Sequence, residues 1–270
     1  MAEDGSTLTV SAATHRGRIR STNEDAIVVD RWLGLGDSAS FDQQFLLNRV
    51  GCLLAVADGI GGHRAGEIAS RFLLEQLIVN TDDFSADKAL QLLSRLRAID
   101  ASLREQMIAD PSLSGMGSTL VAAVVRADLL TVVNVGDSRA YLFDLEEGFR
   151  QISVDHVPRP NYDIDHSRNG LSAGQSFSER RRTSHAITQA FGGASAGART
   201  LNPHVLNLRI APTDLNLLLC SDGLTDYIGE DALKEALSSQ ELNAQDLITD
   251  VLNAGGQDNI SVILARYCRR

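Results

Sequence analysis

Several short runs of almost unbroken apolar residues limit the folds open to this chain. LLAVA, LVAAVV and LNLLLC show no alternation between apolar and polar positions. A strand with one face in water alternates with a period of two, whereas a strand covered on both faces does not. Strand-like runs fall at 8–13, 52–57, 119–125, 129–135, 140–143, 205–210, 215–220 and 260–265. Residues 126–128 are too short a link for a crossover to a parallel neighbour, so antiparallel hairpins are expected.

Helical spacing appears in three places. Ala65, Ile68, Ala69, Phe72, Leu73 and Leu77 make one apolar face. Between 85 and 109, Leu90, Leu93, Leu96, Leu103 and Met107 make a second. Ala244, Leu247, Ile248, Val251 and Leu252 stand at i, i+3, i+4, i+7 and i+8, with Asn243 placed to cap that helix and Gly255-Gly256 to end it. Strands, a helix pair, strands and a second helix pair predict an α+β fold of two packed antiparallel sheets with helices outside. The 270 residues suit a single domain, 1–270, large enough to need no disulfide or structural metal.

The formal net charge of -10 argues against nucleic acid or an anionic membrane as the main partner. The three cysteines are odd in number and lack zinc spacing; Cys52 and Cys220 sit in apolar runs and read as core, which fits a reducing compartment. The acidic, polar start MAEDGSTLTV does not read as a signal peptide, and no apolar run approaches the ~18 residues that span a bilayer. A cytoplasmic monomer is expected. Residues 156–184 lose the apolar pattern, are rich in Arg, Ser, Asn and Gly, and carry Arg180-Arg181-Arg182. A loop above ~15 residues in a compact domain is either a surface insertion or a flap over a binding site.

The chemistry lies in acidic residues at strand ends. Glu24 and Asp25 sit in RSTNEDAIVV, Asp58 ends LLAVADGIGGH, Asp137 lies in VGDSRAYL, Asp222 ends LLLCSDGL and Asp258 begins DNISVIL. Each alone reads equally well as turn chemistry. Together, carboxylates converging at one sheet edge would repel and raise one another's pKa, a conflict that a divalent cation resolves. An all-oxygen ligand set favours Mg²⁺, Mn²⁺ or Ca²⁺ over zinc. Gly59, Gly61 and Gly62 would allow the close backbone approach that lets a main-chain carbonyl join the ligands.

The ordered motifs R-S-T-N-E-D, A-D-G-I-G-G-H, G-S-T-L, V-G-D-S-R-A-Y, S-D-G-L-T-D and D-N-I-S-V run over essentially the whole chain. In this set the sequence resembles the metal-dependent protein phosphatases of the protein phosphatase 2C type, and bacterial members in particular. The resemblance implies a four-layer αββα sandwich with two Mg²⁺ or Mn²⁺ ions between the sheets, and a third, weaker ion in many bacterial members. It implies that Asp58 bridges the two metals. The Gly59 carbonyl, with Glu24 or Asp25, would help hold one, and Asp222 and Asp258 the other. Asp137, with Asp222 shared, matches the third. Arg20 matches the arginine that binds substrate phosphate.

The implied reaction is hydrolysis of phosphoserine and phosphothreonine in proteins by a hydroxide held between the two cations, with a Ser/Thr kinase pathway as counterpart. Ile60 stands where animal members often carry a histidine proposed as general acid, which leaves the proton donor open between His63 and a metal-bound water. Ser118 and Thr119 read as sheet packing. The alternatives are a non-catalytic pseudophosphatase scaffold and a phosphatase for small phosphate esters.

Overall fold

The apolar runs form strands where the sequence places them. The computed structural model of the chain describes residues 5–48, 50–61, 65–79, 89–158, 186–193, 200–210, 214–239, 241 and 243–269. Its strands are β1 (Thr7–His15), β2 (Asp25–Val29), β3 (Trp32–Gly34), β4 (Ser38–Leu46), β5 (Cys52–Ile60), β6 (Gly117–Ser118) and β7 (Leu120–Val125). They continue as β8 (Leu129–Val135), β9 (Arg139–Asp144), β10 (Gly148–Gln151), β11 (Phe191–Gly192), β12 (His204–Arg209), β13 (Leu215–Cys220) and β14 (Ile260–Cys268). The helices are α1 (Ala65–Val79), α2 (Ala89–Ala109), α3 (Asp222–Thr225), α4 (Glu230–Ser238) and α5 (Ala244–Asn253).

Two sheets result, with strand orders β10-β9-β13-β14-β1-β4 and β11-β6-β5-β7-β8-β12; β2 joins the second sheet through β5 and carries β3. The pairings are antiparallel, including the β7–β8 hairpin closed by the Arg126 amide on the Leu129 carbonyl at 2.9 Å.

Burial explains the missing alternation. Along β14, Ile263, Ala265 and Tyr267 enter the core between the sheets, while Val262 and Leu264 meet the helices. Along β5, Leu54 and Val56 face the other sheet and Leu53, Ala55 and Ala57 face α1 and α2. Each such strand is apolar on both faces because each face is buried. Helices α1 and α2 cover the second sheet through Ala69, Leu73 and Leu96. Helices α4 and α5 cover the first through Leu233, Leu237 and Ile248. The result is the expected αββα order of layers.

The helix faces differ in detail from the sequence reading. Ile68 is 37% exposed and Leu90 84% exposed, while Leu74 and Leu92 are buried. The contact stripes of both helices run beside the positions a simple count selects. At α5 the expected cap is present: the Asn243 side-chain oxygen accepts the Gln245 amide at 3.0 Å. Gly255 and Gly256 beyond it take positive φ. Residues 159–184 of the polar segment, Gly62 and His63 lie outside the described residues.

Candidate metal and phosphate site

The acidic residues collect at one end of the sandwich because each follows or precedes a strand that ends there. Asp58 lies near the end of β5, directly opposite Asp25 at the start of β2. Asp137 sits in the β8–β9 turn, Asp222 opens α3 after β13, and Asp258 comes two residues before β14. A cavity of about 310 Å³ is lined by Arg20, Glu24, Asp58, Gly59, Asp137, Asp222 and Asp258, among others. The structure therefore brings together seven of the eight expected residues. The eighth, Asp25, is 2% exposed and lies behind the wall. A larger hollow of about 410 Å³ between β10 and β12 has a leucine and isoleucine floor and holds none of these residues.

Burial and mutual repulsion dominate the electrostatics. Burial first, then Asp25, Asp222, Asp137 and Asp258, hold the Asp58 carboxyl well above the usual range. Burial and then Asp222 push Asp137 up to about 7. Burial also raises Glu24. Asp25 is pushed up to about 7 by burial, against hydrogen bonds donated to its Oδ2 by Ser221 Oγ at 2.8 Å and Ser261 Oγ at 2.7 Å. Its Oδ1 is buried with no partner. Arg20 Nη2 lies 2.7 Å from Asp258 Oδ2, so the expected phosphate binder here neutralises an expected metal ligand.

Backbone constraints hold this geometry. A Cβ at Gly59 would overlap the carbonyl oxygen of Gly66 in α1, so β5 and the helix meet closely only because position 59 is glycine. Asn259, which the sequence reading left without a role, ties the Arg16–Glu24 loop to β14. Its Oδ1 accepts the Glu24 amide at 2.8 Å, and its Nδ2 donates to the carbonyls of Arg16 at 2.8 Å and Thr22 at 3.0 Å.

Thr119 does more than pack. Its hydroxyl accepts the Asp58 amide at 3.1 Å, lies 2.7 Å from Ser138 Oγ and lines the cavity, linking Asp58 to the residue after Asp137. Both Thr119 and Asn259 lie inside motifs that carry the resemblance, which was the signal available for them. Ser118 remains a buried β6 residue.

Among the described residues, no three acidic, histidine or cysteine side chains gather tightly enough to hold a metal ion as they stand. The donor chemistry nonetheless fits a hard divalent cation. The cavity presents carboxylates from five separate chain segments with raised protonation at Asp58 and Asp137, and a buried carboxylate oxygen behind them lacks a partner. Such a site is an electronegative cavity whose charge a cation would relieve.

Two packed antiparallel sheets with helices on both outer faces and an acidic cavity at one end define the architectural class. The chain belongs to the protein phosphatase 2C family, whose model matches residues 15–260. It is 31% identical to the serine/threonine protein phosphatase PstP of Mycobacterium tuberculosis over 96% of this chain and 45% of that protein, so it spans less than half of that relative's length. It is 32% identical to the serine/threonine phosphatase stp of Listeria monocytogenes, covering 93% of this chain and 92% of that one. A crystal structure of the PstP catalytic domain in complex with two manganese ions superposes with a TM-score of 0.71 at 28% identity, covering 97% and 99% of the two chains.

Proposed function

We propose that the chain is a metal-dependent protein serine/threonine phosphatase that hydrolyses phosphoserine and phosphothreonine with Mg²⁺ or Mn²⁺. The observation that carries this reading is the convergence of Asp58, Asp137, Asp222 and Asp258 on one cavity with Arg20 at its rim, in a chain whose relatives are named as such phosphatases. Asp58, the Gly59 carbonyl and Glu24 would hold one cation, with Asp25 behind them; Asp58, Asp222 and Asp258 would hold the second. Asp137 with Asp222 would hold a third, weaker one. When bound, the cations supply an acidified water as nucleophile and offset charge on the phosphoryl oxygens.

The chain's own groups account for the rest. Arg20 exchanges its bond to Asp258 for phosphate oxygens and, being always charged, stabilises them as the leaving oxygen departs. Thr119 is engaged with Asp58 and Ser138 and is not the nucleophile. The thiols of Cys52 and Cys220 are buried and pushed up to about 12 by desolvation, so a thiolate route is closed to them. Ile60 lines the cavity and offers no proton.

The basic 156–184 segment, anchored between Asp137 and Asp222, favours phosphoprotein over small esters as substrate. No helix among the described residues is long and apolar enough to cross a membrane. A Ser/Thr kinase that adds the phosphate is the counterpart this substrate class implies. The test is phosphate release from a phosphothreonine peptide beside a panel of nucleotides, with Asp58→Asn as control. Preference for the peptide, lost in the variant, is expected; preference for a nucleotide would overturn the substrate class.

A further inference from the structure

The Asp137 turn is held by a residue outside the acidic set. Gly136 takes φ of +102°, and a Cβ there would lie 2.6 Å from Thr119 Cγ2, so the turn is pressed against Thr119 from one side. From the other side it is held by His156, at the start of the polar segment. The His156 amide donates to the Gly136 carbonyl at 2.8 Å. The Gly136 amide donates back to His156 Nδ1 at 3.0 Å. An amide can only donate, so Nδ1 is the unprotonated ring nitrogen.

His156 also receives a bond from the chain that follows the polar segment, the Thr188 amide on its carbonyl at 2.7 Å. Its neighbour Asp155 is fixed independently: Arg139 Nη2 and Nε reach Asp155 Oδ2 at 2.6 and 2.8 Å, and Gln151 Nε2 reaches Oδ1 at 2.8 Å. Asp137 borders two adjoining cavities, of about 310 and 210 Å³; Ile187 lines the first, and Val157 and Pro158 line the second. The start of the segment and the chain that follows it thus both bear on the turn that presents Asp137.

We propose that His156 is a positioning residue for Asp137: its Nδ1 holds the Gly136 amide and so sets the direction of the Asp137 carboxylate toward the cavities. This rests on the metal-dependent reading above for the role of Asp137, but the bond itself does not. Two anchors fix the turn at its front and back, and the backbone bond from His156 survives any side-chain change. A substitution at 156 therefore isolates the contribution of Nδ1. Asparagine can place a side-chain oxygen near the position of Nδ1 and accept the same amide; alanine cannot.

The experiment compares wild type, His156→Ala and His156→Asn by amide exchange at Gly136 and by calorimetric titration with Mn²⁺. Alanine is expected to speed Gly136 exchange and weaken manganese binding about tenfold, the scale of losing a group that orients a ligand. Asparagine is expected to return both toward wild type. An alanine variant that matches wild type in both readings, or an asparagine variant no better than alanine, overturns the assignment. Should alanine fail to fold, an unprotected Gly136 amide in the wild type overturns it equally. Exchange needs neither metal nor substrate, so a wild-type chain that proves inactive with Mn²⁺ would sink the phosphatase reading and leave this test standing.

Discussion

Replacing Asp25 with asparagine should stabilise the protein without metal and destabilise it with metal. Lifting a carboxyl from the ordinary 3.8 to about 7 costs the ionised folded state roughly 4 kcal/mol, at about 1.36 kcal/mol per pH unit. The sign follows from the direction of the shift. Because the folded-state value is raised, wild-type stability from this group is fullest below pH 3.8 and falls as pH rises through about 7. The asparagine of the Asp25→Asn variant would carry no such charge and would still accept the hydroxyls of Ser221 and Ser261. Its amide nitrogen would replace the unpartnered Oδ1, giving back roughly 1–3 kcal/mol as a buried unsatisfied donor. The net gain above pH 7 is then about 1–3 kcal/mol. At about 2–4 °C per kcal/mol for a chain of this size, Tm should rise on the order of 5 °C. The assay is thermal unfolding in chelator from pH 5 to 8. The two proteins should converge toward pH 5 and separate by pH 8. With Mn²⁺ the order should reverse, since a negative charge behind the cations then favours binding. A metal-free Asp25→Asn protein that melts at or below wild type at pH 8 would refute the electrostatic reasoning.

Arg20→Ala should raise KM for a phosphopeptide roughly 10- to 100-fold, the loss of a charge-assisted bond worth about 1.5–3 kcal/mol, while manganese affinity measured calorimetrically falls far less; an unchanged KM and turnover would remove Arg20 from phosphate binding. Thr119→Val should lower both turnover and stability, the latter by about 1–3 kcal/mol in denaturant unfolding, because it leaves the Asp58 amide and Ser138 hydroxyl without their shared partner. Thr119→Ser should keep most of both, and a valine variant with normal turnover would return Thr119 to a packing role.

Most of the sandwich was legible in the sequence because its central strands are apolar on both faces. The runs at 129–135 and 215–220 match β8 and β13 to the residue. β4 was not legible: SASFDQQFL lies at the sheet edge, largely exposed, and carries no strong period. β2 escaped separate notice because its five buried residues begin inside an acidic motif. At the site, the residue types and their place at strand ends were readable, since Asp beside Gly or Asn after an apolar run is a local pattern. Relations across the fold were not. Whether Glu24 or Asp25 reaches the cavity depends on which face of β2 each meets, and only the pairing of Asp25 with Asp58 decides it. The bond from Arg20 to Asp258 joins positions 238 residues apart, and the hold of His156 on Gly136 depends on where the β8–β9 turn returns.

The most direct test of the central claim is phosphate release from a phosphothreonine peptide by protein stripped with chelator and then titrated with Mn²⁺, for wild type, Asp58→Asn, Asp222→Asn and the double variant. Stripped wild type should be inactive and regain turnover with Mn²⁺. Each single variant should lose several orders of magnitude, and the double variant should be little worse than either, because ligands of a shared centre act as one unit. Full turnover by the stripped wild type, or normal turnover by Asp58→Asn, would contradict it.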